Sequence, residues 1–330
     1  MATAIGPSAF PPAPRLNTVP PASAAPDRVS GPGLAFAIAS YGLWGFLPVL
    51  FFALQPSGAI EIVAWRIVLS LVFCALLLTV TGGWARLVAI MRDRATVLAL
   101  AAAAVLILVN WLVYVFASVS GHVVEASLGY FTNPIVTVLL GVIVLRERLR
   151  PLQWVAIAVS AVAVLVLAIG YGAFPWIALT LAFSFGGYGL VKKRVGPRAD
   201  AVGGLTVETA LLSPLALVAL GVIAVTSGLT MGTVSPLHTV LLLSVGAATA
   251  IPLILFAAGA RRLPLVYMGL AQYLAPILQL IVGVVILHEA MPLERWVGFG
   301  IVWLALGILT VDMFVHGRRN RGVATEPGTS

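Results

Sequence analysis

Ten stretches of this chain are each long and apolar enough to cross a lipid bilayer, and no other feature narrows its fold so far. A span needs about 20 mostly apolar residues. The runs fall at roughly 33–54, 60–80, 95–117, 123–145, 151–170, 172–191, 203–227, 236–260, 264–287 and 293–314. A lone spanning strand would leave its backbone groups unpaired in hydrocarbon, and the runs lack the alternation of a membrane barrel, so they are expected to be helices. Composition agrees: 61% of the 330 residues are hydrophobic and 9% are charged, against about 25% charged in soluble proteins. Too little charge remains to cover a water-facing surface, so lipid must cover most of it.

Residues 1–32 differ from the rest. They are rich in Pro, Ala and Ser, with Arg15, Asp27 and Arg28 as their charges, a composition that cannot build a core. A disordered cytoplasmic tail is expected, without the plan of a cleaved signal peptide.

Orientation follows from Lys and Arg. With the N-terminus cytoplasmic, the inside segments hold Arg15 and Arg28; Arg86, Arg92 and Arg94; Arg146, Arg148 and Arg150; Lys192, Lys193, Arg194 and Arg198; Arg261 and Arg262; and Arg318, Arg319 and Arg321. The exceptions are Arg66, inside a helix, and Arg295, on an outside loop. Ten spans with both termini cytoplasmic is the topology this asymmetry favours. The net charge of +8 thus reports membrane orientation, and nucleic acid is not an expected partner.

The chain also repeats itself. A shift of 142 residues lays Pro134 on Pro276, Gly141 on Gly283, Leu145 on Leu287, Glu147 on Glu289 and Trp154 on Trp296 without a gap. Two five-helix units follow, 33–170 and 171–315, with a basic cytoplasmic tail at 316–330. Five helices per unit is an odd number, so the second copy enters the membrane from the opposite side. Such inverted repeats suit alternating access.

Several motifs resemble a known family. Asn110-Trp111, then Glu125-Ala126-Ser127-Leu128-Gly129-Tyr130-Phe131 with Asn133-Pro134, then Glu147 and Trp154, are similar to the RarD group of EamA transporters in the drug/metabolite transporter superfamily. Ala182-Phe183-Ser184-Phe185, Tyr188 through Lys193, and Glu208-Thr209 add to the resemblance, which covers most of 33–315. It implies an all-α, ten-helix permease of the cytoplasmic membrane that exports a small metabolite or drug-like compound, often labelled a chloramphenicol-resistance permease. The long Pro/Ala-rich tail departs from the family's usual start.

Ionisable groups inside the bilayer cost roughly 2.5–3.5 kcal/mol at a helix centre, so each invites a functional reading. Arg66 on the second span and Glu208, its partner under the shift, lie at similar depths below opposite faces. They suit a pair of gates, although side chains that point toward their own helix N-terminus can also snorkel to the interface. Glu61 sits about 140° round the helix from Arg66 and is poorly placed to pair with it. On the fourth span Glu125, Gly129, Asn133, Thr137 and Gly141 form one stripe, matched on the ninth by Tyr267, Ala271, Ala275, Gln279 and Gly283. Small residues at this spacing mean close packing; Glu125, Asn133 and Gln279 suit a cavity face.

Proline strips the carbonyl four residues earlier of its donor. Pro48, Pro134 and Pro276 therefore free the carbonyls of Trp44, Tyr130 and Gln272. Depth counting puts Arg66, Asn110, Tyr130 and Asn133 in one layer able to hold a polar or anionic solute group. Trp44, Trp111, Tyr188 and Tyr273 suit stacking on planar cargo or covering a cation, or plain packing. Trp154 and Trp296 read as interfacial anchors. His122, His238, His288 and His316 lie in loops or near helix ends and read as solvated or interfacial.

The function classes narrow accordingly. HExxH, GxxxxGK[ST] and a strand-to-helix GxGxxG do not occur, and the single cysteine, Cys74, supports neither disulfide nor metal site. No catalytic residue, metal site or cofactor is assigned. Uphill transport would draw on an ion or solute gradient; proton coupling through Glu125 or Glu208, solute exchange and facilitated flow remain equal alternatives. The rival classes are an intramembrane enzyme, for which Ser118 through His122 and Asp312 give little support, and a non-transporting membrane sensor or scaffold. Cargo, direction and oligomeric state are not written in the residues.

Overall fold

The computed structural model describes residues 30–145, 149, 151–170, 174–195, 198–260, 262–263, 268 and 270–323. The tail up to residue 29, together with Arg146, Glu147, Arg148, Arg150, Arg261 and Tyr267 and the side chains of the C-terminal arginines, lies outside this description.

Every regular element among the described residues is helical. In chain order they are α1 (Gly31–Ala53), α2 (Ala59–Thr81), α3 (Trp84–Arg92), α4 (Arg94–Val119), α5 (Val123–Leu145), α6 (Pro151–Gly170), α7 (Trp176–Val195), α8 (Ala201–Thr226), α9 (Pro236–Ala260), α10 (Leu274–Ile281) and α11 (Leu293–Val323). Seven of these are long and apolar enough by themselves to cross a membrane, and α6 and α10 hold shorter apolar stretches. Of the other two, α7 ends in Lys192, Lys193 and Arg194, and the nine-residue α3 is not counted among the spans. Together the helices other than α3 occupy the ten places that the hydropathy pattern marks for spans. This is a polytopic α-helical membrane protein.

Local chemistry sets several helix ends. Ser30 starts α1 by accepting the Gly33 N–H on its hydroxyl at 3.2 Å, and Asp93 starts α4 by accepting the Ala95 N–H at 3.1 Å and the Thr96 hydroxyl at 2.6 Å. These caps satisfy donors that the first helical turn leaves open. Gly82 stops α2 with φ 64°, a left-handed conformation that lacks steric cost only for glycine.

Two elements depart from the sequence pattern. The first is α3, a nine-residue helix where the pattern shows only a charged connection. It is too short for a span signal, but it is amphipathic. Leu87 and Ile90 pack onto Leu78, Leu100, Val195 and Val207, while Trp84, Val88 and Met91 stay exposed, as in a helix lying in the membrane interface. The second is the ninth span, which is interrupted at Gln272 and Tyr273 and then resumes as α10, passing into a π-helical turn at Val282–Ile286. Pro276 supplies the reason for the first break. It cannot donate to Gln272, whose carbonyl instead accepts the Ala275 N–H at 3.3 Å.

Packing is inside-out relative to a soluble protein. Leu76, Val80, Leu98, Leu217, Val225 and Leu237 are exposed, which places them against lipid, while serine, threonine and charged side chains turn inward. Buried hydroxyls close on their own helix, as Ser118 does on the Tyr114 carbonyl and Thr132 on that of Leu128, both at 2.8 Å. Without water this is the cheapest way to satisfy them.

The helix pairing is symmetric. α1 packs on α9 and α10, and α7, five spans later, packs on α4 and α5. α2 faces α8, α6 faces α11 and α5 faces α10. Exchanging the first five spans for the last five maps each of these contacts onto itself or another. At two crossings an added side chain would run into the backbone of the facing helix. A Cβ on Gly246 would lie 2.5 Å from the Leu69 carbonyl oxygen, and one on Gly129 would lie 2.7 Å from that of Ala178. Both crossings join the first five spans to the last five, where small residues let backbones approach.

The ends of the bundle differ in charge. Arg86, Arg92, Arg94, Lys192, Lys193, Arg194, Arg198 and Arg262 mark one end, called here the basic end. At the far end lie Glu61, Glu125, Glu289, Glu294, Arg295 and the first turn of α9 with His238.

Candidate functional site

The bundle centre is built around Arg66. This residue is 4% exposed and does not reach either interface, so the snorkelling alternative does not apply to it. Its Nε donates to the Thr249 hydroxyl at 2.8 Å, and that hydroxyl donates in turn to the Val245 carbonyl of its own helix. The guanidinium carbon lies 4.3 Å from the Trp111 ring centroid and 5.4 Å from that of Phe51. Aromatic faces attract a cation but do not neutralise it. Nη1 is buried without a hydrogen-bond partner.

A polar and aromatic network continues from there. The Tyr130 hydroxyl donates to Asn110 Oδ1 at 3.0 Å, and Asn110 Nδ2 donates to the Leu181 carbonyl at 3.3 Å and to Ser184 Oγ at 3.2 Å. Asn110 therefore ties α4 to α7. The freed carbonyl of Trp44 accepts from the Tyr114 hydroxyl at 3.5 Å and from Gln279 Nε2 at 3.4 Å, both at the long end of hydrogen bonding. Pro48 leaves that acceptor open, and these two side chains are its partners. Gln279 Oε1 is buried and unpartnered, as is Asn133 Oδ1, which faces Gly186 on α7.

Aromatic rings form a continuous line from Arg66 toward the basic end. Phe51 meets Tyr114 at 5.9 Å, Tyr114 meets Tyr130 at 5.4 Å, Tyr130 meets Phe185 at 5.8 Å and Phe185 meets Tyr188 at 6.1 Å between centroids. The Tyr188 hydroxyl then donates to Glu208 Oε2 at 3.2 Å. Lys192 Nζ donates to Glu208 Oε1 at 2.8 Å. Glu208 is fully buried, so Lys192 comes in to it rather than the carboxylate snorkelling out. Gly204, one turn earlier on α8, leaves the space: a Cβ there would lie 2.6 Å from Lys192 Nζ.

Trp44, Arg66, Asn110, Trp111, Tyr130 and Gln279 thus share one network, and Asn133, Tyr188 and Glu208 extend it. Other expected residues lie apart. Glu125 is half-buried at the far end, where its carboxylate accepts the Ile177 N–H at 3.1 Å and caps α7. Gln272 is half-buried at the break in the ninth span. Tyr273 lines a separate apolar hollow of about 580 Å³ on the flank of the bundle, with Phe131, Trp296 and Trp303.

Phe51, Tyr114 and Thr249 are not among the residues that the sequence singles out, and Lys192 stands there within a basic, topology-setting cluster. Tyr114 stands one helical turn after Asn110, and a buried acid such as Glu208 asks for a basic partner, so those two had a signal. Thr249 had none. His238, expected to be solvated or interfacial, is 3% exposed because the loop between α1 and α2 folds over it. Glu289 was noted only as a repeat match. It caps α5, accepting the N–H groups of Val123 at 2.6 Å and Val124 at 2.8 Å.

The fold and interior define a multi-pass membrane protein with a polar, aromatic core between its helices. A model of the EamA-like transporter family matches residues 31–169. The chain is 47% identical over 292 residues to Protein RarD of Streptomyces exfoliatus, covering 88% of this chain and 91% of that protein. It is 37% identical to Protein RarD of Escherichia coli K12, over 87% of this chain and 96% of that one. It is 31% identical to a Pseudomonas aeruginosa protein named Chloramphenicol-sensitive protein RarD, over 84% and 93%. A solved crystal structure shares the fold with a TM-score of 0.55 at 17% identity, over 84% of this chain and 97% of that chain. The chain belongs to the EamA-like transporter family, within its RarD group.

Proposed function

We propose that this chain is a secondary transporter that exports a small metabolite or drug-like molecule across the cytoplasmic membrane, and that it is not an enzyme. It works by alternating access between two inverted five-helix repeats, 33–170 and 171–315, with the basic end and both termini in the cytoplasm. The cargo binds in the central network formed by Trp44, Arg66, Asn110, Trp111, Tyr130, Asn133 and Gln279, and Tyr188 and Glu208 line its path to the basic end.

The observation that carries this reading is Arg66. A guanidinium in a dry interior is strongly destabilising unless paired, and the described acids nearest in the fold are engaged elsewhere: Glu61 with Thr230 and Glu208 with Lys192. A free donor beside two aromatic rings, in an interior that also holds the unpartnered amide oxygens of Asn133 and Gln279, is what a polar, planar solute would complete. The symmetric helix pairing supports the exchange of conformations between halves. Against an enzyme stands the far-end turn, where Ser120 and His122 are 3.1 Å apart. The Ser120 hydroxyl donates to the Phe116 carbonyl at 2.6 Å, and His122 lies exposed in the turn rather than in an enclosed, water-free site.

The test is flux into proteoliposomes over a panel of metabolites and antibiotics, headed by chloramphenicol because one relative's name mentions it. Transport that Arg66→Ala and Asn133→Ala both abolish supports the site. Full activity of both variants on a transported compound rejects it.

A further inference from the structure

At the far end, four side chains from both halves form a directional hydrogen-bond chain. Glu61, in the first turn of α2, accepts on Oε1 from the Thr230 N–H at 2.8 Å and from the Thr230 hydroxyl at 2.9 Å. The Thr230 hydroxyl has therefore given its proton to Glu61, and so it accepts from Ser57 Oγ, 2.6 Å away. Ser57 Oγ in turn lies 3.0 Å from His238 Nε2. The same Nε2 lies 3.0 Å from the Leu54 carbonyl oxygen. A carbonyl only accepts, so Nε2 carries a proton and donates to both oxygens. Every donor direction agrees: His238 to Ser57 to Thr230 to Glu61. At the head of the chain, His238 Nδ1 is buried with no partner.

We infer that this cluster is a proton-binding site and relay that releases the far-end seam between the two halves. A proton arriving at His238 Nδ1 lets Nε2 pass its own proton to Ser57 Oγ. Ser57 passes its proton to Thr230 Oγ1, and Thr230 passes its proton to Glu61 Oε1. The net change is a neutral glutamic acid and an unchanged histidine charge, with one proton taken from the far-end compartment. Glu61 then holds the Thr230 N–H without its negative charge, and charge-assisted hydrogen bonds are roughly twice as strong as neutral ones. The contact joins the α1–α2 segment to the α8–α9 segment, so weakening it frees one half from the other at that face.

The 54–58 connection touches the end of α4, where Gln55 donates to the Val119 carbonyl at 2.9 Å, and the turn that follows carries His122, which is exposed. On the helices packed against α2, the charged or titratable residues other than tyrosine and cysteine are Arg94 of α4 and Glu208 of α8, both toward the basic end, and His238 itself on α9. α1 carries none but Tyr41, and the 54–58 and 227–235 connections carry none. On α2, Arg66 lies more than one turn deeper and is turned away. Cys74 and Tyr114 lie deeper still or face the central network. This inference rests on the alternating-access reading and supplies its driving ion: a proton from the far side.

The test needs no substrate. In a Cys74→Ala background, Leu242→Cys, one turn below His238 and fully buried, reports opening through labelling by a membrane-impermeant thiol reagent in right-side-out vesicles. Rates are normalised at each pH to an exposed Thr226→Cys. The parent is expected to label slowly at about pH 8 and about tenfold faster at about pH 5.5, as a modest population shift gives. Adding Glu61→Gln makes labelling fast at both pH values. Adding His238→Gln or Ser57→Ala keeps it slow at both, because the relay is cut while Glu61 still holds Thr230. Thr230→Ser behaves as the parent and guards against misfolding. An unchanged rate in Glu61→Gln, or a pH response that survives in His238→Gln and Ser57→Ala, overturns the proton site alone. A reporter that stays unlabelled in every variant at every pH, while Thr226→Cys reacts, overturns alternating access and the proton site with it.

Discussion

Arg66 and Glu208 occupy matching positions 142 residues apart, yet the protein treats their charges differently. Glu208 is neutralised within its own five spans, by Lys192 at 2.8 Å and the Tyr188 hydroxyl at 3.2 Å. Among the described residues no carboxylate pairs with Arg66; Trp111, Phe51 and the Thr249 hydroxyl hold it, and one nitrogen stays open. The counterpart of Lys192 under the shift is Leu50, so the position that neutralises Glu208 has no basic equivalent beside Arg66. One copy thus holds its charge in a clasp near the basic end, and the other leaves a donor open, which the proposed function assigns to the cargo. Inverted repeats that were equal in sequence could not divide the work this way.

The largest expected effect follows from removing the open charge. Arg66→Met should lower kcat/KM for a transported solute by about 30-fold or more, the usual cost of about 2 kcal/mol or more for losing a buried charged contact, while the protein still folds. Proteoliposome flux and size-exclusion profiles check both halves of that statement.

On the Glu208 side the loss should appear in stability. Lys192→Met strands a buried carboxylate and should destabilise the protein by about 1–3 kcal/mol, discounted for the partial exposure of the lysine. Adding Glu208→Gln should recover much of it. Thermal unfolding in detergent, run as a double-mutant cycle, reads the difference; additive losses would deny the clasp.

Tyr130→Phe tests the bridge between the two charges. It leaves Asn110 Oδ1 without its donor and should cost about 1 kcal/mol, with a modest rise in KM. The smallest effect serves as a control remote from both sites. The Thr96 hydroxyl holds the Asp93 carboxyl below the usual carboxylate range. A carboxylate depressed in the folded state stabilises above its unfolded pKa and loses that contribution as pH falls through its folded value. Unfolding scans should therefore separate wild type from Asp93→Asn slightly near neutral pH and bring them together below about pH 4, with flux unchanged.

What the sequence made legible was whatever is local or periodic. The ten spans show because hydropathy sums along the chain, and Arg66 and Glu208 show because an ionisable residue inside an apolar run is conspicuous. Pro48 even announces the open carbonyl of Trp44. The pattern does not reveal α3, whose nine residues are too few for a span signal, nor the break at Gln272, since Pro134 in the matching helix causes none. Contacts between a side chain and a distant backbone were the hardest to read. Glu61 finds the Thr230 N–H across 169 positions and Glu289 finds Val123 across 166, and backbone donors carry no residue signature. Thr249 was hidden for a related reason: a hydroxyl that closes on its own helix looks like filler in an alanine-rich run.

The claim beneath all of this is that the halves must part at the far end for cargo to cross. Ser57 Oγ and Thr230 Oγ1 lie 2.6 Å apart on opposite sides of that seam, so Ser57→Cys with Thr230→Cys, in a Cys74→Ala background, can tether it. Flux of a transported solute in proteoliposomes should stop when this pair is oxidised and return on reduction. Undiminished flux through the tethered protein would contradict the account.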